Sequence, residues 1–146
     1  MKREDKDLLL KDLCSRLPYG VICKSVNFRD PTKLVSIDLD GPSHDVYFCT
    51  NDGGSMWNDY DDIKPYLFPL SSMTDELWDK EFMGCGITEF TRDSFKDGCE
   101  TLEFNSNNPD LSSMIRFINQ LIKNHFDIYG LIPKGLAIDA TGLNIY

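Results

Sequence analysis

The sequence has no lysine or arginine between Lys33 and Lys64. Over all 146 residues, 24 acidic side chains stand against 15 basic ones, which leaves a net charge of -9. Proteins that grip nucleic acids present clustered lysine and arginine to the phosphates, so this balance excludes broad binding to DNA or RNA. The aromatic residues Tyr66, Phe68 and Trp78 are therefore assigned to the core and not to a base-stacking platform.

Long hydrophobic runs are also missing. Leu8 to Leu10 is the only apolar run near the start, and it is far shorter than a signal-peptide core. No window approaches the roughly eighteen apolar residues that a membrane helix needs. These absences predict a cytoplasmic protein with no membrane contact.

Patterns of metal-binding and nucleophilic residues are scarce. Asp38, Asp40 and Asp45 do not follow the spacing of a calcium-binding loop. With only two histidines, no Ser-His-Asp or Cys-His pair can be singled out, and no glycine-rich loop carries a phosphate-binding lysine. The five cysteines are widely spaced without a C-x-x-C pair, which predicts reduced and mostly buried thiols: Cys14, Cys23, Cys49, Cys85 and Cys99. The sequence therefore predicts no cofactor and no dedicated metal site.

The residue pattern of the first half predicts one helix followed by a small sheet. Leucines recur at helical spacing over residues 5 to 17, and Pro18 ends that pattern. From Val21 to Leu70 the period falls to two, which predicts three short strands and a fourth around residues 63 to 70. The links are too short for parallel crossovers, so the strands are predicted to be antiparallel, with Pro65 and Pro69 confining the fourth strand to an edge or ending it early.

The second half predicts further helices. Thr74 is expected to cap a helix that runs to Phe82. Residues 87 to 92 and 99 to 105 suggest the arms of a hairpin. Asn108 and Pro109 are expected to start a long helix through Asn124, whose apolar stripe would be buried: Leu111, Met114, Ile115, Ile118, Leu121 and Ile122. The rest is predicted to be a packed tail. The fold prediction is a single α+β domain over residues 1–146, with a small antiparallel sheet or partly open barrel on which the N-terminal and long C-terminal helices pack.

One enzymatic alternative rests on Asp38 and Asp40. A hydrophobic strand that ends in D-x-D-G resembles the first motif of haloacid-dehalogenase-type phosphatases. That resemblance implies Asp38 as the nucleophile and Asp40 as the acid/base, with magnesium between them. Pro42 departs from the usual residue, and the surrounding pattern is a meander instead of alternating strands and helices. An enzyme is therefore the less favoured interpretation.

The most distinctive feature is a one-sided placement of charge. Seven aspartates fall in the stretch without cations: Asp38, Asp40, Asp45, Asp52, Asp59, Asp61 and Asp62. Trp57 and Tyr60 lie among them. Aromatic side chains provide anchoring area and carboxylates provide steering, so this mixture suits a partner protein with a basic surface. The candidate partner-binding residues are Trp57, Asp59, Tyr60, Asp61 and Asp62. In the alternative interpretation, the acids keep strand edges soluble and Trp57 folds back over the core.

Three stretches carry a resemblance to a known group: residues 8–21, 63–74 and 124–137. They read LLLKDLCSRLPYGV, IKPYLFPLSSMT and NHFDIYGLIPKGLA. Together they resemble small proteins without assigned activity from gut Bacteroides-type bacteria and their phages or mobile elements. The resemblance implies a bacterial cytoplasm and an accessory role.

These observations favour a non-enzymatic binding module that recognises a host or phage protein through the acidic, aromatic-containing surface. Two alternatives stay open, the magnesium-dependent phosphatase described above and a protein that sequesters a small ligand.

Overall fold

The computed structural model describes residues 1–40, 45–49, 55–59, 62–105 and 110–146. In these residues the protein is α+β, with four α-helices and a six-stranded mixed sheet, as the sequence predicts. The chain divides into two compact units. The first unit comprises Met1–Leu67 and Tyr129–Tyr146, and the second comprises Phe68–Ile128. No helix within the described ranges is long and apolar enough to cross a bilayer.

Among the described residues, the first unit contains one α-helix and all six strands. Its elements are α1 (Arg3–Arg16), β1 (Ile22–Ser25), β2 (Thr32–Ile37), β3 (Asp45–Cys49), β4 (Ser55–Asp59), β5 (Ile63–Leu67) and β6 (Ile138–Asp139). The strand order is β4-β3-β2-β1-β5-β6. The four predicted strands correspond to β1, β2, β3 and β5, and their antiparallel pairing is confirmed. Strand β4, which the sequence pattern does not predict, pairs antiparallel with β3 and extends the meander. The segment predicted as a packed tail contains β6, which pairs parallel to β5. Because β6 has only two residues, alternation in the sequence could not reveal it.

The apolar face of this sheet is covered by α1. Leu9 and Leu13, four residues apart, lie on one side of the helix and are fully buried against the sheet residues Cys23 and Leu34. Gly20, with a φ of 75°, ends the chain's first helical segment in the left-handed conformation that glycine adopts freely. The predicted helix over residues 5 to 17 is confirmed.

A buried ion pair that the sequence pattern did not reveal lies on α1. The Arg16 guanidinium donates from Nη2 to Asp12 Oδ1 at 2.7 Å and from Nε to Asp12 Oδ2 at 2.8 Å. Both side chains are fully buried. The two parallel hydrogen bonds compensate part of the cost of removing both charges from water.

Pro65 does not confine its strand to the edge of the sheet, because β5 lies between β1 and β6. The backbone N–H of Val26 donates to the Asp62 carbonyl, so Val26 and Asp62 form a hydrogen-bonded pair. Hydrogen-bonded and non-hydrogen-bonded pairs alternate along an antiparallel ladder, so Cys23 and Pro65, three positions along, form a non-hydrogen-bonded pair. The nitrogen of Pro65 therefore faces away from β1, toward β6. The pairing of β5 with β6 begins at the next residue, Tyr66. No ladder hydrogen bond is lost at this position.

The second unit is built on helices α2 (Asp75–Glu81), α3 (Glu89–Lys96) and α4 (Leu111–Lys123). Thr74 caps α2 as predicted, since its Oγ1 accepts a hydrogen bond from the Leu77 N–H at 3.2 Å. The core of this unit is largely aromatic, and its fully or nearly fully buried side chains are Met73, Trp78, Phe82, Cys85, Ile87, Phe95, Phe117, Leu121 and Phe126. Trp78 stacks on Phe82 with ring centroids 5.5 Å apart.

The predicted hairpin in this unit is wrong. Residues 89 to 96 form α3, and only one isolated bridge, Ile87 to Phe104, remains of the expected pairing. Thr91 and Phe95 are four residues apart and both are buried, which is the spacing of a helix. The segment is short and one of these two residues is a threonine, so the pattern of apolar residues does not indicate a helix. Gly98, with a φ of 75°, lies just past the helix and not at the tip of a hairpin.

Helix α4 is present as predicted, with two differences. Its N-cap is Asp110, whose Oδ1 accepts from the Ser113 N–H at 2.6 Å, while the predicted cap Asn108 and the following Pro109 lie outside the described residues. The predicted stripe is buried only at Leu121 and Ile122. The other members of that stripe are exposed: Leu111, Met114, Ile115 and Ile118. Phe117 is buried instead, so the packed face is rotated from the predicted one.

The expectation of mostly buried thiols holds for two of the cysteines that the structure describes. Cys23 and Cys85 are buried, whereas Cys14 and Cys99 are exposed. Burial raises the pKa of the Cys23 thiol well above its ordinary value, and the Asp12 carboxylate raises it further. Cys23 therefore behaves as an apolar core residue.

Candidate functional site

Several aspartates of the first unit lie at one end of strands β2, β3 and β4. Asp45 begins β3 opposite Asp59, the last residue of β4. Ile37, which ends β2, lies opposite Val46. Continuing that register by one residue brings Asp38 level with positions 45 and 59. We call Asp38, Asp40 and Asp59 the acidic end of the sheet.

The carboxylates of the acidic end face water. Asp38, Asp40 and Asp59 are all exposed. Asp38 Oδ1 accepts the backbone N–H of Asp40 at 3.0 Å, which fixes the turn that follows β2. Strand β3 separates β2 from β4, and adjacent strands lie about 4.8 Å apart, so Asp38 and Asp59 are roughly 10 Å apart and their exposed charges are partly screened by salt.

Trp57 is an exposed aromatic side chain on β4, with 52% of its surface accessible. It lies directly opposite Tyr47 of β3, and the two rings pack with centroids 4.9 Å apart. Trp57 and Asp59 are two residues apart on the strand, so they share its solvent face, while Asn58 between them is buried. The alternative in which Trp57 folds over the core is therefore wrong.

The five predicted partner-binding residues do not all lie together in the described structure. Trp57 and Asp59 share a face of β4. Asp62 is exposed directly before β5, where its backbone carbonyl accepts a hydrogen bond from Val26. Tyr60 and Asp61 lie outside the described residues.

Strand β4 is the first strand of the described sheet and pairs with β3 alone. An edge strand presents one row of backbone N–H and C=O groups that lacks a neighbour in the sheet. Trp57 and Asp59 are thus accompanied by main-chain donors and acceptors along the same strand. Sequence alternation could not show this, because it does not reveal which strand ends a sheet.

The strand before Asp38 and Asp40 is antiparallel to both of its neighbours. Strand β2 pairs with β1 on one side and with β3 on the other. Haloacid-dehalogenase-type chemistry places its first aspartate at the carboxyl end of a central parallel strand, and this topology offers none at that position. The geometry therefore gives the phosphatase alternative no support.

A second feature of the first unit was not predicted. Lys24 of β1 and Lys64 of β5 are direct cross-strand partners, and both line a cavity of about 320 Å³. Their pairing depends on the register between two strands that are 40 positions apart in the sequence. Only a correct prediction of that register, from Cys23 opposite Pro65, could have revealed it.

Comparison with protein-family models found no match to the chain. Comparison with curated proteins and with solved structures likewise found no match.

Proposed function

We propose that this protein is a non-enzymatic binding module that recognises a basic protein surface through β4 and the acidic end of the sheet. The resemblance of its three sequence stretches supports an accessory protein of a phage or mobile element, acting on a host or phage protein in a bacterial cytoplasm. The observation that carries the proposal is the exposed Trp57, packed on Tyr47 and placed on the same strand face as Asp59.

The two kinds of side chain have complementary tasks in such a contact. A tryptophan held against a neighbouring tyrosine loses little conformational freedom on binding, and tryptophan is among the residues whose truncation costs most at interfaces. Exposed carboxylates accelerate encounter with a basic partner and make binding sensitive to salt. The open edge of β4 suits an extended segment of the partner, which would add a strand beside it.

The test is a capture experiment from bacterial lysate at low and high salt, followed by direct titration of the captured partner. We expect a partner that is retained at low salt and released at high salt. Trp57→Ala should weaken its binding at least tenfold, because an interface hot spot contributes about 2 kcal/mol or more and 1.4 kcal/mol is a factor of ten.

Two double variants, each of which removes two negative charges, distinguish an effect of the candidate surface from an effect of the protein's net charge. Asp40→Asn with Asp59→Asn removes two exposed acids of the acidic end, and Glu76→Gln with Asp79→Asn removes two exposed acids of α2 in the second unit. Only the first pair should lower the association rate and flatten its salt dependence. Equal effects of the two pairs, or a partner indifferent to Trp57→Ala, would exclude the proposed surface.

A further inference from the structure

The cavity of about 320 Å³ lies wholly within the first unit. Its lining comes from β1 and the residue after it, from the start of β5 and from β6: Lys24, Ser25, Val26, Asp62, Lys64 and Ile138. This volume falls at the lower end of the roughly 300 to 1,000 Å³ of small-molecule sites. A ligand that fills it is therefore small.

Its most unusual feature is the pair of lysines. Lys24 and Lys64 lie directly opposite each other across two antiparallel strands, where side chains of one face are about 5 Å apart at Cβ. Like charges in that position repel each other. Within the described ranges of the chain, neither ammonium group has a hydrogen bond or an ion pair. An anion between them would remove the repulsion and satisfy both groups.

The remaining lining defines the ligand further. Val26 and Ile138 provide an apolar wall, and Asp62 contributes one carboxylate, so the charged side chains sum to +1. The Ser25 hydroxyl is already used, since it donates to Asn58 Oδ1 at 3.1 Å and accepts from the Asn27 N–H. The two lysines are therefore the groups that would select a ligand of negative charge.

We propose that this cavity binds a small organic anion. Its carboxylate or phosphate group would lie between the ammonium groups of Lys24 and Lys64, and its apolar part would contact Val26 and Ile138. This site is independent of the protein-binding surface proposed above, because neither Trp57 nor Asp59 lines it.

The test is a titration followed by two-dimensional NMR with four probes: benzoate, phenyl phosphate, inorganic phosphate and benzylamine. We expect saturable shifts of the Lys24, Val26, Lys64 and Ile138 amides with benzoate or phenyl phosphate at millimolar concentration. Inorganic phosphate should bind more weakly because it lacks the apolar part, and the cation benzylamine should not bind.

Single lysine variants provide the matched control. Lys24→Gln and Lys64→Gln should each weaken binding about three- to fivefold, since ion pairs made by exposed lysines contribute up to about 1 kcal/mol. Lys33→Gln removes an exposed lysine of β2 that does not line the cavity, and it should leave affinity unchanged. All three variants should melt as cooperatively as the native protein.

The results distinguish cleanly between outcomes. Shifts that Lys33→Gln reduces as much as Lys64→Gln would show unspecific attraction of anions and would overturn the proposal. Benzylamine binding as tightly as benzoate, or no saturable shift with any anion, would overturn it as well. The proposal is supported only if the organic anions bind and both cavity lysines are needed.

Discussion

The two units differ in how they use their carboxylates. In the second unit, two acids of α2 pair with cations of neighbouring helices: Asp75 lies 3.1 Å from the Arg92 guanidinium, and Glu81 lies 3.0 Å from the Lys123 ammonium. In the first unit, Asp38 and Asp40 at the acidic end have no ion pair among the residues that the structure describes.

This difference indicates two roles for one residue type. The second unit is a set of short helices around an aromatic core, and its ion pairs join α2 to α3 and α4. The first unit is held by strand pairing and by its apolar core, and the ion pair that joins Asp5 of α1 to Lys134 involves neither Asp38 nor Asp40. The charges of Asp38 and Asp40 are thus available to a partner, whereas those of Asp75 and Glu81 connect helices of the second unit.

The largest predicted effect concerns the buried Asp12–Arg16 ion pair. It is an exception to the difference between the units, because here an acid of the first unit is paired with a cation. Arg16→Leu should lower the free energy of unfolding by about 3–5 kcal/mol, because Asp12 stays buried without its bidentate partner. Urea denaturation followed by circular dichroism measures the loss.

Two further variants sharpen that measurement. Lys134→Gln removes an exposed cation 3.7 Å from Asp5 in the same unit and should cost no more than about 1 kcal/mol. The double variant Asp12→Leu with Arg16→Leu should be more stable than Arg16→Leu alone. If the double variant is the less stable of the two, the cost does not arise from an uncompensated charge.

A moderate effect is expected at the start of α2 in the second unit. Thr74→Ala removes the oxygen that accepts the Leu77 N–H and should cost about 1 kcal/mol, the usual contribution of an N-cap. Thr141→Ala, an exposed threonine of the first unit, is the matched control and should change stability by less than about 0.5 kcal/mol. Equal losses in thermal unfolding would contradict a capping role.

The smallest effect is a pH dependence of the second unit. The hydrogen bond from Lys123 lowers the pKa of Glu81 below its ordinary 4.5, and the hydrogen bond from Lys96 lowers the pKa of Asp75 below its ordinary 3.8. A carboxyl whose pKa is lower in the folded state stabilises fully above its unfolded pKa, and this stabilisation is lost as pH falls through the folded value.

Unfolding free energies measured from pH 6 down to pH 3 should therefore decline below about pH 4.5. Lys123→Gln should make that decline shallower by removing the contribution of Glu81. The control Lys80→Gln changes an exposed lysine whose nearest Glu81 oxygen is 4.0 Å away, and it should alter the slope less. Identical slopes in the two variants would show that the Lys123 hydrogen bond does not set the dependence.

Local signals in the sequence predicted the elements that depend on local chemistry. The helical leucines of α1 and the Thr74 cap of α2 are such signals, and both are confirmed. The helix α3 was missed because only Thr91, Ser94 and Phe95 are buried in its eight residues, too few to outweigh turn-like flanks.

The candidate sites were predictable only in part for a related reason. Trp57 and Asp59 are both predicted as binding residues, but the sequence pattern predicts no strand over residues 55–59, so their shared strand face is seen only in the structure. The Lys24–Lys64 pair and the edge position of β4 depend on long-range pairing, which no local pattern encodes. The rotation of the packed face of α4 likewise depends on which neighbours surround Phe117.

Pro65 also has a consequence for the way the last strand finds its place. If β6 shifted by one residue toward the start of β5, Ile138 would lie opposite Pro65, whose ring nitrogen has no hydrogen to donate. The proline thus acts as a stop that penalises this slip and leaves Tyr66 opposite Ile138 as the first available pairing. A residue that often ends a strand here helps the chain's final strand to settle in a single alignment.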